Sequence, residues 1–301
     1  MPVNPATNPA PHRTTEPTSA TFLAALHLHP AEAEVYDEAW AAETQYVPWP
    51  KAFGGDMVAQ AAAALMRSVG EDRVLHSMHS YFLRPVDVGA VVRYEVEHLR
   101  DGRGYSTRHV RAFQNGKPVY DATASFQVPE DGDDDAPAMP QVPDPEELPS
   151  AAHVLAGMEG PAAEYWSTGR SFDMRHVEGP VYIEAVGPMV AHQAVWVKAF
   201  DRLPDDPDLH RAALAYVCDY TILEPLLRSR GRAWADPGLV TASLDHAMWF
   251  HREGRADEWV LYVQDGCSLQ RNRGLVRGQF FDRGGRLLAT VAQEGMIRPG
   301  S

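Results

Sequence analysis

Cysteine is nearly absent from the chain: Cys218 and Cys267 are the only two among 301 residues. A scaffold held by disulfides is thereby excluded, and a reducing compartment is the natural setting. Basic residues are the next shortage. Lys and Arg number 27 against 41 Asp and Glu, for a formal net charge of −14 and a sequence pI near 5.3. Nucleic-acid binders and proteins held to anionic lipid need basic patches, and no Lys/Arg cluster of that kind occurs. No uninterrupted apolar run approaches the ~20 residues that span a bilayer. The first twenty residues, MPVNPATNPAPHRTTEPTSA, lack the basic start and apolar stretch of a secretory signal. The expectation is a soluble, cytoplasmic protein with a disordered tail over 1–20. Specific chemistries are missing too. There is no Gly-X-Ser-X-Gly elbow for a serine nucleophile, no Gly-rich phosphate loop, and no Cys/His cluster with zinc spacing, so neither metal nor organic cofactor is expected.

What is present divides the chain. Residues 129–150 read PEDGDDDAPAMPQVPDPEELPS, rich in proline, with eight acids and no Lys or Arg. Composition marks this stretch as a linker, too poor in apolar surface to offset its ordering entropy. It also carries most of the net charge, leaving the flanking regions only mildly acidic. The expected organisation is therefore a module over 21–128, the linker over 129–150, and a second module over 151–301.

The halves resemble each other. Shifted by 168 positions, Tyr81-Phe82-Leu83-Arg84 falls on Trp249-Phe250-His251-Arg252, Gly116 on Gly284, and Ala124 on Ala292. A shared offset across three segments indicates internal duplication. After Gly54-Gly55, the Ala-rich run from Asp56 to Met66 predicts a buried helix, with strands at 73–83, 91–100, 104–114 and 118–128. Asn115-Gly116 is a strong hairpin signal, because a two-residue turn of this kind needs positive φ. The second half predicts a helix over 208–226 interrupted by Pro225, then strands near 239–250, 258–268, 272–282 and 286–295. The fold class is α+β: two modules, each a curved antiparallel sheet wrapped around a central helix.

Several runs carry a family resemblance. Phe53-Gly54-Gly55-Asp56 and the segment from His76 to Pro85 (HSMHSYFLRP) are similar to the N-terminal half of the acyl-CoA thioesterase II family. Leu99-Arg100-Asp101-Gly102, the segment from Gln114 to Pro118 (QNGKP), and that from Ala122 to Gln127 (ATASFQ) extend this similarity. In the second half it continues through the segment from Leu244 to Arg252 (LDHAMWFHR), Glu258-Trp259, Arg277-Gly278 and Gln293-Glu294-Gly295. The resemblance covers about residues 50–128 and 210–299. It implies a double hotdog fold and hydrolysis of fatty acyl-CoA to a free fatty acid and coenzyme A. It also implies a catalytic Asp on the second central helix, a hydroxyl on the following strand and a Gln on the last strand, at Asp219, Ser243 and Gln293. The family's hydroxyl is a threonine or a serine, here Ser243, and the departures from the family pattern are Val86 in place of glycine and Asp56 where a glutamine usually follows the Gly-Gly pair.

The residues can be weighed without the family. Asp219 is the only acid in the fifteen residues from Leu209 to Leu223. It is either on the helix's one wet face or buried and hydrogen-bonded. Hydrolysing a thioester needs a base to activate water, and a carboxylate flanked by a hydroxyl and a carboxamide meets that need. Ser243 alone reads as an ordinary strand hydroxyl, or as one that positions water. Gln293 follows Leu287, Ala289 and Val291 on one strand face, so its amide requires partners there, or it makes a structural bond between modules. The Asp56 helix start is a candidate oxyanion site. His76, His79, His246 and His251 read as structural or peripheral. Arg271-Asn272-Arg273-Gly274 is either a solvated turn or a contact for coenzyme A phosphates. Rival readings are a non-catalytic acyl-CoA-binding protein and a dehydratase or hydratase on acyl thioesters. Self-association into a homo-oligomer is left open.

Overall fold

The structure, a computed structural model, describes residues 16–298. Among these residues thirteen strands form one antiparallel sheet. In the first half they are β1 (His29–Ala31), β2 (Glu38–Glu43), β3 (Val74–Phe82), β4 (Val91–Asp101), β5 (Tyr105–Gln114) and β6 (Lys117–Gln127). The second half contributes β7 (Phe172–His176), β8 (His192–Ala199), β9 (Val240–Ser243), β10 (Asp245–Phe250), β11 (Val260–Gln270), β12 (Arg273–Asp282) and β13 (Leu287–Arg298). Their lateral order is β1-β2-β4-β5-β6-β3-β10-β13-β12-β11-β8-β7, with β9 beside β13. Taken from either outer edge towards the centre, the two halves have the same connectivity. Each has two strands from before the helix at its edge, then a three-strand meander, then the strand that follows the helix. The duplication read from sequence is thus repeated in topology, and the fold is a double hotdog.

The halves join where β3 pairs with β10, from Asp245↔Tyr81 to Trp249↔Ser77. In front of this seam the helix Gly54–Arg67 packs on the helix Pro207–Val217. The first helix is buried at every residue from Gly55 to Met66. Its alanines favour helix and are small enough to let it lie close beneath the sheet. Asn115 and Gly116 both take positive φ, as their hairpin requires.

Four expectations need correction. The helix expected over 208–226 ends at Val217, passes through a tight 3₁₀ turn at Cys218–Tyr220, and restarts as Glu224–Arg228. Pro225 lies in the first turn of that last piece, where its missing N–H breaks no helical bond. The strand expected over 239–250 is two strands with a one-residue register shift at Leu244. A matching shift in β3 falls between Leu75 and Ser77, at His76, which is Leu244 moved back by the same 168 positions. The tail expected over 1–20 is anchored at its end: Ser19 Oγ donates to Ser171 O at 2.9 Å and Thr18 Oγ1 to Asp201 Oδ2 at 2.7 Å. Residues 1–15 lie outside the described residues.

The fourth correction concerns residues 129–150, which lie as a strap on the outer face of the second module. Met139, Val142 and Leu148 pack on a cluster that includes Trp196, Trp259, Leu261 and Phe281. Both indole N–H groups find acceptors in the strap, Trp196 on Pro143 O at 2.9 Å and Trp259 on Glu146 Oε1 at 3.1 Å. Its acids meet Arg252 and Arg283. Composition counted the strap's own apolar residues but not the indoles waiting beneath it.

Candidate active site

Asp219, Ser243 and Gln293 come from three separate elements: the 3₁₀ turn after the second helix, β9 and β13. They meet at one carboxylate oxygen. Ser243 Oγ donates to Asp219 Oδ1 at 2.7 Å and Gln293 Nε2 donates to the same oxygen at 2.6 Å. Gln293 Nε2 also reaches Ser243 Oγ at 3.0 Å, closing a three-membered ring of hydrogen bonds. The register shift at Leu244 matters here. Along β10, His246, Met248 and Phe250 are the buried positions, so strict alternation would turn Leu244 inward, and the extra residue turns Ser243 inward instead.

The opposite side of the carboxylate faces the start of helix Gly54–Arg67. Backbone N–H groups of Gly54 and Gly55 donate to Asp219. Both positions require glycine. A Cβ on Gly54 would stand 2.5 Å from Asp219 Oδ2, and one on Gly55 would stand 2.3 Å from Tyr216 O. Burial pushes the Asp219 carboxyl above the usual range for aspartate, and the bonds from Gln293, Ser243, Gly55 and Gly54 oppose that rise. The result is a carboxylate more basic than a free one, yet supplied with donors that hold it ionised.

Asp219 opens onto a cavity of about 160 Å³. Ser243, Thr241 and Ala242 border it on one side, and Trp49, Phe53, Tyr165, Trp166, Tyr220 and Trp234 form an aromatic wall. Phe53 stacks on Tyr220 with ring centres 4.6 Å apart, and Trp49 meets Trp166 edge to face at 5.6 Å. Trp234 is pinned by its Nε1, which donates to buried Glu224 at 3.0 Å, while His176 Nε2 lies 3.0 Å from the other oxygen of that carboxylate. Arg170 is buried in the wall with its guanidinium 4.4 Å from the Tyr220 ring centre. Sequence reasoning missed Arg170, Trp49, Trp166 and Trp234, which sit on loops or on the short π-helical turn Tyr165–Gly169 and its cap, too short for periodicity to carry a signal. Phe53 was visible only as the neighbour of the Gly-Gly pair.

Other predicted positions lie apart from this ring. Asp56 does not offer an oxyanion site, because its N–H donates to Phe53 O at 3.2 Å. Its buried carboxylate accepts from Gln45 N at 2.7 Å and faces Tyr216, and burial raises its pKa to about 7. His246 is buried 3.2 Å from Cys218 Sγ, its pKa pushed down to about 3. His76 bonds Ser125 Oγ at 2.8 Å and His251 bonds Thr290 Oγ1 at 2.9 Å. His79 packs edge to face on Trp249. In the 271–274 turn, Arg273 pairs with Glu294 at 3.2 Å. Among the described residues no three His, Cys, Asp or Glu side chains converge as a metal site would require. Nor is any helix of the described residues long and apolar enough to cross a membrane.

This geometry can be set beside known proteins. Residues 169–296 match the acyl-CoA thioesterase family, and residues 45–127 match the acyl-CoA thioesterase N-terminal domain. Acyl-CoA thioesterase 2 of Haemophilus influenzae is 34% identical over 279 residues, covering 91% of this chain and 96% of that protein. Human acyl-coenzyme A thioesterase 8 is 34% identical over 291 residues, covering 93% and 89%. The crystal structure of acyl-CoA thioesterase II TesB2 from Mycobacterium marinum is 35% identical. It superposes with a TM-score of 0.73, covering 92% of this chain and 98% of that one. With both modules matched and the relatives spanned almost end to end, the chain belongs to the acyl-CoA thioesterase family.

Proposed function

We propose that Asp219, Ser243 and Gln293 form the hydrolytic centre of this acyl-CoA thioesterase, with fatty acyl-CoA as substrate. The observation that carries the reading is the convergence of hydroxyl and carboxamide on Asp219 Oδ1 beside an aromatic cavity. Asp219 takes a proton from water, the resulting hydroxide adds to the thioester carbonyl, and the C–S bond then breaks. The products are a carboxylic acid and the coenzyme A thiol, which recovers the proton. Gln293 Oε1 is buried without a protein partner among the described residues, so it is an acceptor available to orient that water. The Gly54 and Gly55 N–H groups at the positive end of helix Gly54–Arg67 favour the ionised form of the Asp219 carboxylate.

The dehydratase reading would need a histidine in reach of Asp219. Its partners are instead Ser243, Gln293 and two glycine amides, while His246 turns to Cys218. A pure binding protein would have no use for a base held in this way. Thiol release from a panel of acyl-CoAs tests the proposal. Turnover that survives Asp219→Asn on every chain length would refute the assignment, and hydration of an enoyl-CoA without thiol release would favour the dehydratase.

A further inference from the structure

A second cavity, of about 390 Å³, lies beside the first and is built differently. Leu239, Leu269 and Ile297 supply apolar lining, and Arg230, Arg232 and Arg271 bring three guanidinium groups to it. Arg232 spends part of its charge on Asp236 at 3.4 Å. Arg230 and Arg271 have no acidic partner among the described residues, in a chain where acids outnumber Lys and Arg and most of the other described arginines are paired. The Arg271 backbone is set by the two-residue turn between β11 and β12, where it and Asn272 both take positive φ. Positive charge at a partly apolar cleft suits an anion joined to a planar organic group.

The cleft connects to the catalytic cavity through two short stretches of chain. Along the first, Arg230 and Arg232 border the arginine cleft and Trp234 borders the catalytic cavity. On the other, Leu239 borders the cleft and Thr241, Ala242 and Ser243 border the cavity, with Ile297 paired to Thr241 across the sheet. From Leu239 to Ser243 the extended chain covers roughly 13 Å at the usual rise per residue. That is the order of length of a pantetheine arm, the flexible part of coenzyme A between thioester and nucleotide.

We infer that Arg230, Arg232 and Arg271 form the docking site for the phosphorylated nucleotide of the acyl-CoA substrate, with the pantetheine arm lying along β9 towards Ser243. This rests on the thioesterase reading and deepens it. Arg230 and Arg271 would bond the phosphate oxygens, Arg232 would add a nearby positive charge, and the apolar lining would meet the adenine.

The double variant Arg230→Gln/Arg271→Asn tests it, asparagine being chosen because it tolerates positive φ. KM for acyl-CoA should rise roughly tenfold to a hundredfold with kcat retained, as expected for loss of charge-assisted bonds to phosphate. The same acyl group carried on N-acetylcysteamine, which lacks the nucleotide, should be hydrolysed equally by both proteins. A KM for acyl-CoA within twofold of wild type overturns the assignment, and so does an equal loss on the two thioesters. Calorimetry with 3′,5′-ADP keeps this question separate from the reaction itself. Binding by the wild type that disappears in the double variant supports the cleft whether or not thiol release is seen. No heat up to millimolar nucleotide overturns it.

Discussion

The two modules share one topology and even one irregularity, yet differ in what they turn towards their helices. In the second module the register shift at Leu244 presents Ser243, opposite Gly295 on β13 and two positions from Gln293. In the first, the matching shift at His76 presents Leu75, opposite Phe126 and two positions from Ala124. Leu75, Ala124 and Phe126 are all buried among apolar neighbours. The helices diverge similarly: the first runs unbroken past its buried Asp56, whereas the second tightens at Cys218–Tyr220 and sets Asp219 at the tightening. A bulge is therefore a property of the fold, and the side chain placed on it decides whether that half turns a hydroxyl or an apolar group inward.

Substitutions can break this contrast. The largest effect is expected for Asp219→Asn, which keeps shape but removes the proposed base. Thiol release should fall by roughly 10²–10⁴-fold with the far-ultraviolet circular dichroism unchanged. Wild-type turnover should also decline on the acid side at a pH above the ordinary aspartate range, because burial raises the Asp219 pKa. A profile flat down to pH 4 would contradict that.

Asp56 offers a second contrast, a buried carboxyl with no catalytic duty assigned. Its pKa of about 7 in the folded protein exceeds the value of 3.8 expected when unfolded. The folded state therefore holds the proton more tightly, and stability present below pH 4 is lost as pH rises from there through 7. Asp56→Asn escapes that loss and can still accept from Gln45 N. Denaturant melts should show the variant more stable at pH 8, by on the order of 4 kcal/mol, and nearly matched to wild type at pH 4. The same advantage at both pH values would show that ionisation is not the cause.

Leu75→Ala tests the packing half of the comparison. It should cost about 3 kcal/mol of stability while leaving kcat near wild type, and a kcat that fell in step would mean that this bulge position of the first module also shapes the site. Smallest of all is Ser243→Thr, which keeps the hydroxyl. Turnover should stay within about threefold, whereas Ser243→Ala should lose roughly ten- to a hundredfold. Equal losses in the two would argue for shape, not hydrogen bonding, at this position.

Much of this was legible from the residues. The Ala-rich helix, the strands of both meanders and the Asn115-Gly116 turn follow from periodicity and local conformational preference. Asp219 and Gln293 stood out as polar groups on apolar faces. Ser243 did not, because its inward direction depends on a bulge that a period-two reading cannot foresee. Nor could the ring of bonds around Asp219 Oδ1 be seen, since it joins residues 24 and 74 positions away along the chain. The strap over 129–150 was misjudged for a related reason. Its partners, Trp196 and Trp259, lie 53 and 113 positions along the chain from the groups they bond, and composition is blind to contacts at that separation.

The seam between β3 and β10 has a consequence for concentration. When two such modules are separate chains, mass action governs their pairing, and dilution empties the shared site. Here one polypeptide carries both, and the strap between them keeps each at a high local concentration near the other. Specific activity should therefore hold constant as the enzyme is diluted to nanomolar levels. An active-site titration should count one centre per chain, although the architecture repeats twice.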